Sequence, residues 1–535
     1  MLIVEEDGKE KKVRASFFCL LFSQREKQSV LIAVRVHPFP SRTRKLSSSA
    51  PKILVWRRTG KIGNADTKNR QRSAVCFFII HRISGGDDIM IRIQNIRSEI
   101  GESTEDLRRK AAKLLGLDPE ALSGFALTRQ SIDARRKGDI HYVCTVELST
   151  KEERALARRV RDKRVSFFSP EPYCFPQATR RASIRPVVVG MGPAGLFAAL
   201  FLARAGISSI VLERGRAVEA RARDVAAFWR TGILDPMSNV QFGEGGAGTF
   251  SDGKLTTGTH DPRLSAVTDA LVEHGAPEDI RWSHKPHIGT DILREVVRSI
   301  REELIALGCD VRFEHRMTGV DIRDSALRGL TVEGPSGAYR LPCDALVLAP
   351  GHSARDTFRM LWEAGVPMES KPFAVGVRIE HLQERIGEAQ YGPRWRELPP
   401  TDYKLACHLP NGRSVFSFCV CPGGEVVAAA SEQGRLVTNG MSLRARDGRN
   451  INGGLLVGLS AADLGLAHPL SGMALQERWE EAAFRAGVGG FRAPAQSVGS
   501  FLCGETPRLS REVSPTSRPG VVPARLEECL AGAVG

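Results

Sequence analysis

The chain has 535 residues, enough for two to four domains that each bury a core. Its 42% hydrophobic content, 52 Gly and 29 Pro are those of a globular α/β protein and exclude fibrous and disordered classes, while no apolar run approaches the ~18 residues of a membrane span. A net charge of +15 would suit nucleic-acid binding, but residues 1–89 hold 18 Lys/Arg against 8 Asp/Glu and the rest 58 against 53, so neither nucleic acid nor membrane is expected as a partner.

The eleven Cys show no CxxC spacing, which excludes zinc-ribbon and thioredoxin-type motifs. Their odd number fits reduced thiols and a cytoplasmic location. No metal-ligand or Ser/His/Asp constellation stands out. Cys419-Val-Cys421 is a close pair, and on a strand its side chains share one face, so two packed thiols are expected rather than a redox pair, which would need a stabilised thiolate.

In chain order, residues 1–89 mix basic clusters (Lys9–Lys12, Arg42–Lys45, Arg57–Arg58) with short apolar pieces and lack sustained periodicity. The acidic Glu5-Glu6-Asp7 argues against a secretory signal. This stretch is read as a non-native or disordered extension, with translation expected to start at Met90. Met90–Ile96 alternates like a strand. Ser103 with Asp106 signals a capping box before the helix Leu107–Leu115, and Gly116 stands where that helix should end. Strands are predicted over Gly124–Ser131 and Ile140–Leu148, giving a βαββ module within 90–168. A Pro-rich linker is expected over 169–183.

Pro186-Val-Val-Val-Gly-Met-Gly-Pro-Ala-Gly195 is an apolar strand running into G-x-G-x-x-G, followed by a predicted helix Leu196–Ala205, Gly206, and a second strand Ile210–Glu213. Gly190 permits the tight turn, Gly192 lets backbone approach a pyrophosphate, and Gly195 lets helix and strand pack closely. Pro193 and Ala194, inside the motif, are expected to contact the cofactor with its glycines, and the unpaired N–H groups at the helix N-terminus face the phosphates. Glu213, followed by Arg214, is placed to accept the adenosine ribose hydroxyls. The acid disfavours a 2′-phosphate, and so NADP. A second literal match, Gly243-Glu-Gly-Gly-Ala-Gly248, follows no apolar strand and opens no helix, so no separate nicotinamide domain is predicted. Asp344-Ala-Leu-Val-Leu-Ala-Pro-Gly351 is an apolar strand ending in a small-residue turn, with Ala349 and Gly351 beside a cofactor. It resembles the second FAD-contacting strand of glutathione-reductase-like flavoproteins, with Pro350 where Thr is usual, and so points to FAD.

From Met90 nearly to its end, the chain resembles a family of bacterial and plant FAD-dependent dehydrogenases. The resemblance rests on Ser131–Lys137, Gln241–Leu255, His287–Asp291, Gly351–Asp356, Lys371–His381 and Phe418–Gly424. It implies a three-layer FAD-binding Rossmann-like domain (184–365), an inserted β-rich substrate domain (366–494), a return to the FAD domain (495–535) and an N-terminal α+β module. By position, the loop with Gly245, Gly246, Ser251 and Lys254 is expected to wrap the flavin phosphates and ribityl chain. Lys254, His352 and Cys421 are the catalytic candidates, with Arg355 near the flavin-contacting strand. The family continues into a further Gly-rich strand–loop–helix, so the chain is expected to be incomplete beyond Gly535. The function implied is an FAD-dependent oxidoreductase acting on a small molecule, its electron donor or acceptor left open. The alternatives are an FAD-dependent RNA-modifying enzyme, with Arg129, Arg135, Arg136 and Lys137 as its support, and a non-catalytic flavoprotein.

Overall fold

The structure, a computed structural model, describes residues 89–170, 184–259, 261–460 and 468–530, single residues 173, 178 and 463, and the strand backbones of 30–38 and 54–57. The linker beyond 170 and the remaining basic and apolar pieces of residues 1–88 lie outside the described residues.

The centre is a five-stranded sheet ordered Leu54–Arg57, Ala345–Leu348, Val187–Val189, Ile210–Glu213, Asp310–Phe313, parallel except for its first strand. Side chains alternate across it, and both faces are covered, which explains why these strands read as continuous apolar runs. Val188, Val211 and Val347 point into a core with the helices Pro193–Arg204, Arg263–Glu273 and Thr290–Ala306. Val187, Val189, Ile210, Leu212 and Leu346 pack instead on the antiparallel meander Arg316–Arg323, Ala326–Gly334, Gly337–Pro342. This is the expected three-layer α/β arrangement.

A seven-stranded sheet carries the second large core, in the order Ala406–His408, Ser414–Cys421, Asn450–Leu459, Phe373–Leu382, Val30–Pro38, Ala493–Ser497, Val521–Pro523. Two features differ from the sequence reading. Residues 495–530, expected to return to the nucleotide domain, stay with this sheet: Val521–Pro523 pairs in parallel with Ala493–Ser497, and Leu526 and Leu530 are buried in its core. Within the first 89 residues, Val30–Pro38 and Leu54–Arg57 take strand positions. Val30, Ile32, Val34 and Val36 form a β-branched alternation that local reading passed over.

The N-terminal module is a four-stranded antiparallel sheet ordered Ser123–Asp133, His141–Ser149, Met90–Ser98, Val165–Phe168. The capping box forms, with the Asp106 N–H donating to Ser103 Oγ (3.2 Å) and the Ser103 N–H to Asp106 Oδ2 (2.9 Å). Gly116 closes the helix Thr104–Leu115 at φ 68°. A second helix, Glu153–Arg159, and the edge strand Val165–Phe168 extend the predicted βαββ to βαββαβ. That four-residue strand abuts the Pro-rich stretch and was too short to stand out by periodicity.

Candidate functional site

The turn after Val187–Val189 is built by close backbone approach. Gly190 has φ +93°, and a Cβ there would collide with the Ala349 carbonyl; one on Gly195 would collide with the Gly190 carbonyl. These two glycines are required by the protein's own packing. Gly192 differs: a Cβ there would lie 3.7 Å from Gly246 Cα, ordinary contact, so what its bareness keeps open is the cleft. The helix starts at Pro193, leaving its first N–H groups without helical partners.

Glu213, 4% exposed, ends the second strand and ties three loops together. Its Oε2 accepts from the Met191 N–H (2.8 Å), and its Oε1 from the Gly215 and Gly243 N–H groups (2.9 and 3.0 Å). A carboxylate offers about four lone-pair directions. One therefore remains for a ribose hydroxyl. Arg214 is held by Asp356 (2.8 and 3.0 Å) and Thr357 and lies over the Phe242 ring at 4.3 Å. Burial works against the Asp356 charge, but Arg214 and Arg316 outweigh it and hold the carboxyl below its ordinary value.

The loop from Asn239 to Phe250 closes the other wall. Its anchor is Arg221, fully buried on the helix Val218–Thr231. Its Nε donates to Asn239 O (2.8 Å), Nη1 to Gly243 O (3.3 Å) and Glu244 O (2.6 Å), and Nη2 to Val240 O and Gly246 O (2.9 Å each). All five guanidinium N–H groups thus meet loop carbonyls. Burial lowers its pKa to about 9, so it is still charged at neutral pH. Glu244 sits beside it, accepting from the Val218 N–H (2.8 Å) and Arg301 (3.2 Å). Burial raises the Glu244 carboxyl to about 7, and its Oε1 has no partner among the described residues.

Between the walls lies a cleft of about 340 Å³. Gly190, Gly192, Pro193, Glu213, Arg214, Gly246, Ala349, Gly351 and His352 all line it. Ala194, Gly195, Gly245 and Ser251 do not. Gly245 donates its N–H to Met191 O (2.8 Å), and Ser251 O accepts from Thr290 Oγ1. Arg355 turns away into a buried network with Glu480 (2.9 and 2.7 Å) and Glu432 (3.1 Å) that joins the helix Arg355–Glu363 to Ser471–Ala486.

Lys254, at the far end of the same loop, stands in a second cluster. Its Nζ reaches Asp252 (3.0 Å), Val420 O, Cys421 Sγ (3.7 Å) and Cys419 Sγ (4.0 Å). Asp252 is fully buried and also receives Ser442 and Arg446. Burial works against the Lys254 charge, but Cys421, Cys419 and Asp252 outweigh it and keep the amine above its ordinary value. Arg378, buried on the strand Phe373–Leu382, donates to Asn452 Oδ1 (2.9 and 2.5 Å) and Cys419 O (3.0 Å). His287 is pushed down to about 4, by burial and then by Arg446, and is neutral. Of the three catalytic candidates, Lys254 and Cys421 meet, while His352 lies apart in the cleft.

Residues 184–359 match the FAD binding domain family, residues 372–535 the family described as "FAD-dependent protein, C-terminal domain-like", and residues 90–149 a domain of unknown function. An uncharacterized protein of Clostridium beijerinckii is 45% identical over 444 residues, covering 82% of this chain and 83% of its own. The chain belongs to this FAD-dependent family. Among solved structures, FqzB matches at 16% identity and TM-score 0.27, over 53% of this chain and 55% of its own. OxyS anhydrotetracycline hydroxylase from Streptomyces rimosus matches at 16% and 0.23, over 51% and 44%. A flavocytochrome c3 fumarate reductase matches at 17% and 0.23, over 35% and 37%. The chain thus spans less than two thirds of each of these three.

The cofactor of the family is FAD, and the cleft fits it. Gly192 leaves its wall bare of a Cβ, Glu213 keeps an acceptor position for a ribose hydroxyl, and the helix end at Pro193 presents N–H groups for phosphate. Sequence reasoning missed Arg221, Asp252, Arg446 and Arg378. Arg221 lies in Arg221-Ala-Arg223, where nothing local says which arginine turns inward.

Proposed function

We propose that this protein is a dehydrogenase or reductase that passes an electron pair between its flavin and an organic molecule bearing a carbonyl or carboxylate group. The observation that carries the reading is a pair of orphaned donors. Arg378 Nη1 and Asn452 Nδ2 are buried without a partner among the described residues, in the cluster that also holds Lys254. Buried donors left empty are costly, and an acceptor-bearing ligand would satisfy them. One loop joins this cluster to the cofactor cleft, since Gly246, Ala247 and Gly248 line the cleft and Lys254 ends the loop in the cluster.

FAD when bound supplies the two-electron chemistry. The chain supplies binding and charge. Asp252 holds the Lys254 ammonium and the Arg446 guanidinium, so the cluster offers positive charge to a substrate anion. The protonated Lys254 acts as a hydrogen-bond donor and not as a base. An RNA substrate is less well supported: Arg135 is paired with Asp133 (2.5 Å), and Arg129 lies 3.3 Å from His284 Nδ1.

The test is anaerobic flavin bleaching by panels of carboxylates and ketones or their reduced forms. A substrate that bleaches the parent should bleach Lys254→Met at least ~10-fold more slowly with flavin content unchanged. A flavin inert to every organic donor, or one indifferent to Lys254, would sink the proposal.

A further inference from the structure

The strand Ser414–Cys421 pairs antiparallel with Asn450–Leu459, and its register slips between Phe418 and Cys421. The slip is a bulge. Within it Cys419 takes φ +46°, a left-handed conformation uncommon for a residue with a side chain. The bulge brings Cys419 Sγ to 4.0 Å from Cys421 Sγ. The two sulfurs differ in setting. Cys421 is fully buried, its thiol 3.3 Å from Cys419 O and 3.6 Å from Arg378 Nη2. Cys419 is half-buried, beside the Lys254 ammonium. An accessible thiol next to a cation, backed by a buried second thiol, is the arrangement in which thiolate attack is favoured.

We infer that Cys419 and Cys421 form a redox dithiol that exchanges electrons with disulfide compounds, Cys419 attacking and Cys421 resolving. The Cys419 thiolate bonds to one sulfur of an external disulfide RS–SR, and the RS–SR bond breaks, releasing one RS⁻. Cys421, losing its proton, then attacks Cys419 Sγ. The mixed disulfide breaks, the second RS⁻ leaves, and both leaving groups take up protons to become RSH. The external disulfide is reduced by two electrons and the cysteine pair is oxidised by two. Lys254 stabilises the attacking thiolate. The hydrogen bond with Cys419, and then burial, hold the Cys421 thiol well above its ordinary range, so it stays protonated until the second step. The inference needs no cofactor; it shares Lys254 with the substrate reading but does not depend on that reading.

The test uses the full chain in buffers of reduced and oxidised glutathione. Samples are acid-quenched, alkylated with N-ethylmaleimide and digested with trypsin. Cleavage after Arg413 and Arg435 leaves both cysteines on one peptide, residues 414–435. In oxidising buffer that peptide should lose both maleimide adducts and weigh two hydrogens less than the dithiol. Cys421→Ser should instead accumulate one glutathione on Cys419, and in the native, unquenched protein Lys254→Met should slow maleimide alkylation of Cys419 by about 10-fold. Full alkylation of both cysteines in every buffer overturns the inference. So does a glutathione adduct that persists on Cys419 while Cys421 remains free.

Discussion

Replacing Arg221 by Met separates the stability of the chain from the shape of its cofactor loop. The guanidinium donates to five carbonyls between Asn239 and Gly246. Gly243 O also accepts from the Gly246 N–H (2.9 Å) and Glu244 O from Thr249 Oγ1 (3.3 Å), so three carbonyls are orphaned, and at ~1 kcal/mol each their loss costs about 3 kcal/mol. Burying the guanidinium also has a cost. Its pKa falls to about 9, which at ~1.4 kcal/mol per pH unit corresponds to about 5 kcal/mol. Methionine fills similar space without that cost. The two quantities oppose each other and differ by about 2 kcal/mol, so the stability read from melting should move by no more than that. The loop has no such compensation. Gly243, Gly246 and Gly248 line the cleft only while those carbonyls are held, so flavin affinity should fall at least ~100-fold, or ~2.7 kcal/mol. Flavin fluorescence titration and thermal melting of Arg221→Met check this, and amide exchange over 239–250 should quicken. An affinity within threefold of the parent would refute the reasoning.

Three further outcomes follow from buried groups. Glu244 has its carboxyl raised to about 7, so the parent loses stability as pH rises from about 4.5 to 7, by roughly 3 kcal/mol at ~1.4 per unit. In urea titrations Glu244→Gln should match the parent near pH 5 and exceed it by about 2 kcal/mol at pH 8; a pH-independent difference contradicts the assignment. Gly190→Ala puts a Cβ against the Ala349 carbonyl at φ +93°, so the purified variant should keep its far-UV dichroism but lose the visible flavin bands. Arg355→Met should cost about 3–5 kcal/mol by stranding Glu480, and Arg355→Met with Glu480→Met should recover most of it, as read by Tm.

What could be read from the sequence was whatever one short segment decides alone. The cofactor turn is of that kind: Gly190, Gly195 and Glu213 lie within a single βαβ unit, and each is dictated by a neighbour in that unit or by the strand beside it. The capping box at Ser103 and Asp106 is equally local. Arg221 is not, because its partners form a loop that folds back on its helix, and Arg221 and Arg223 look alike on paper. The meeting of Lys254 with Cys421 depends on which strand pairs with which, a choice made by burial of whole sheet faces. The cysteine pair shows the boundary most sharply. Alternation along a regular strand puts Cys419 and Cys421 on one face but leaves them two pleats apart, ~6.6 Å along the strand. Their sulfurs come to 4.0 Å because the strand bulges there against Asn450–Leu459. That bulge is a property of cross-strand register, and no window of the sequence around Cys419 contains the other strand.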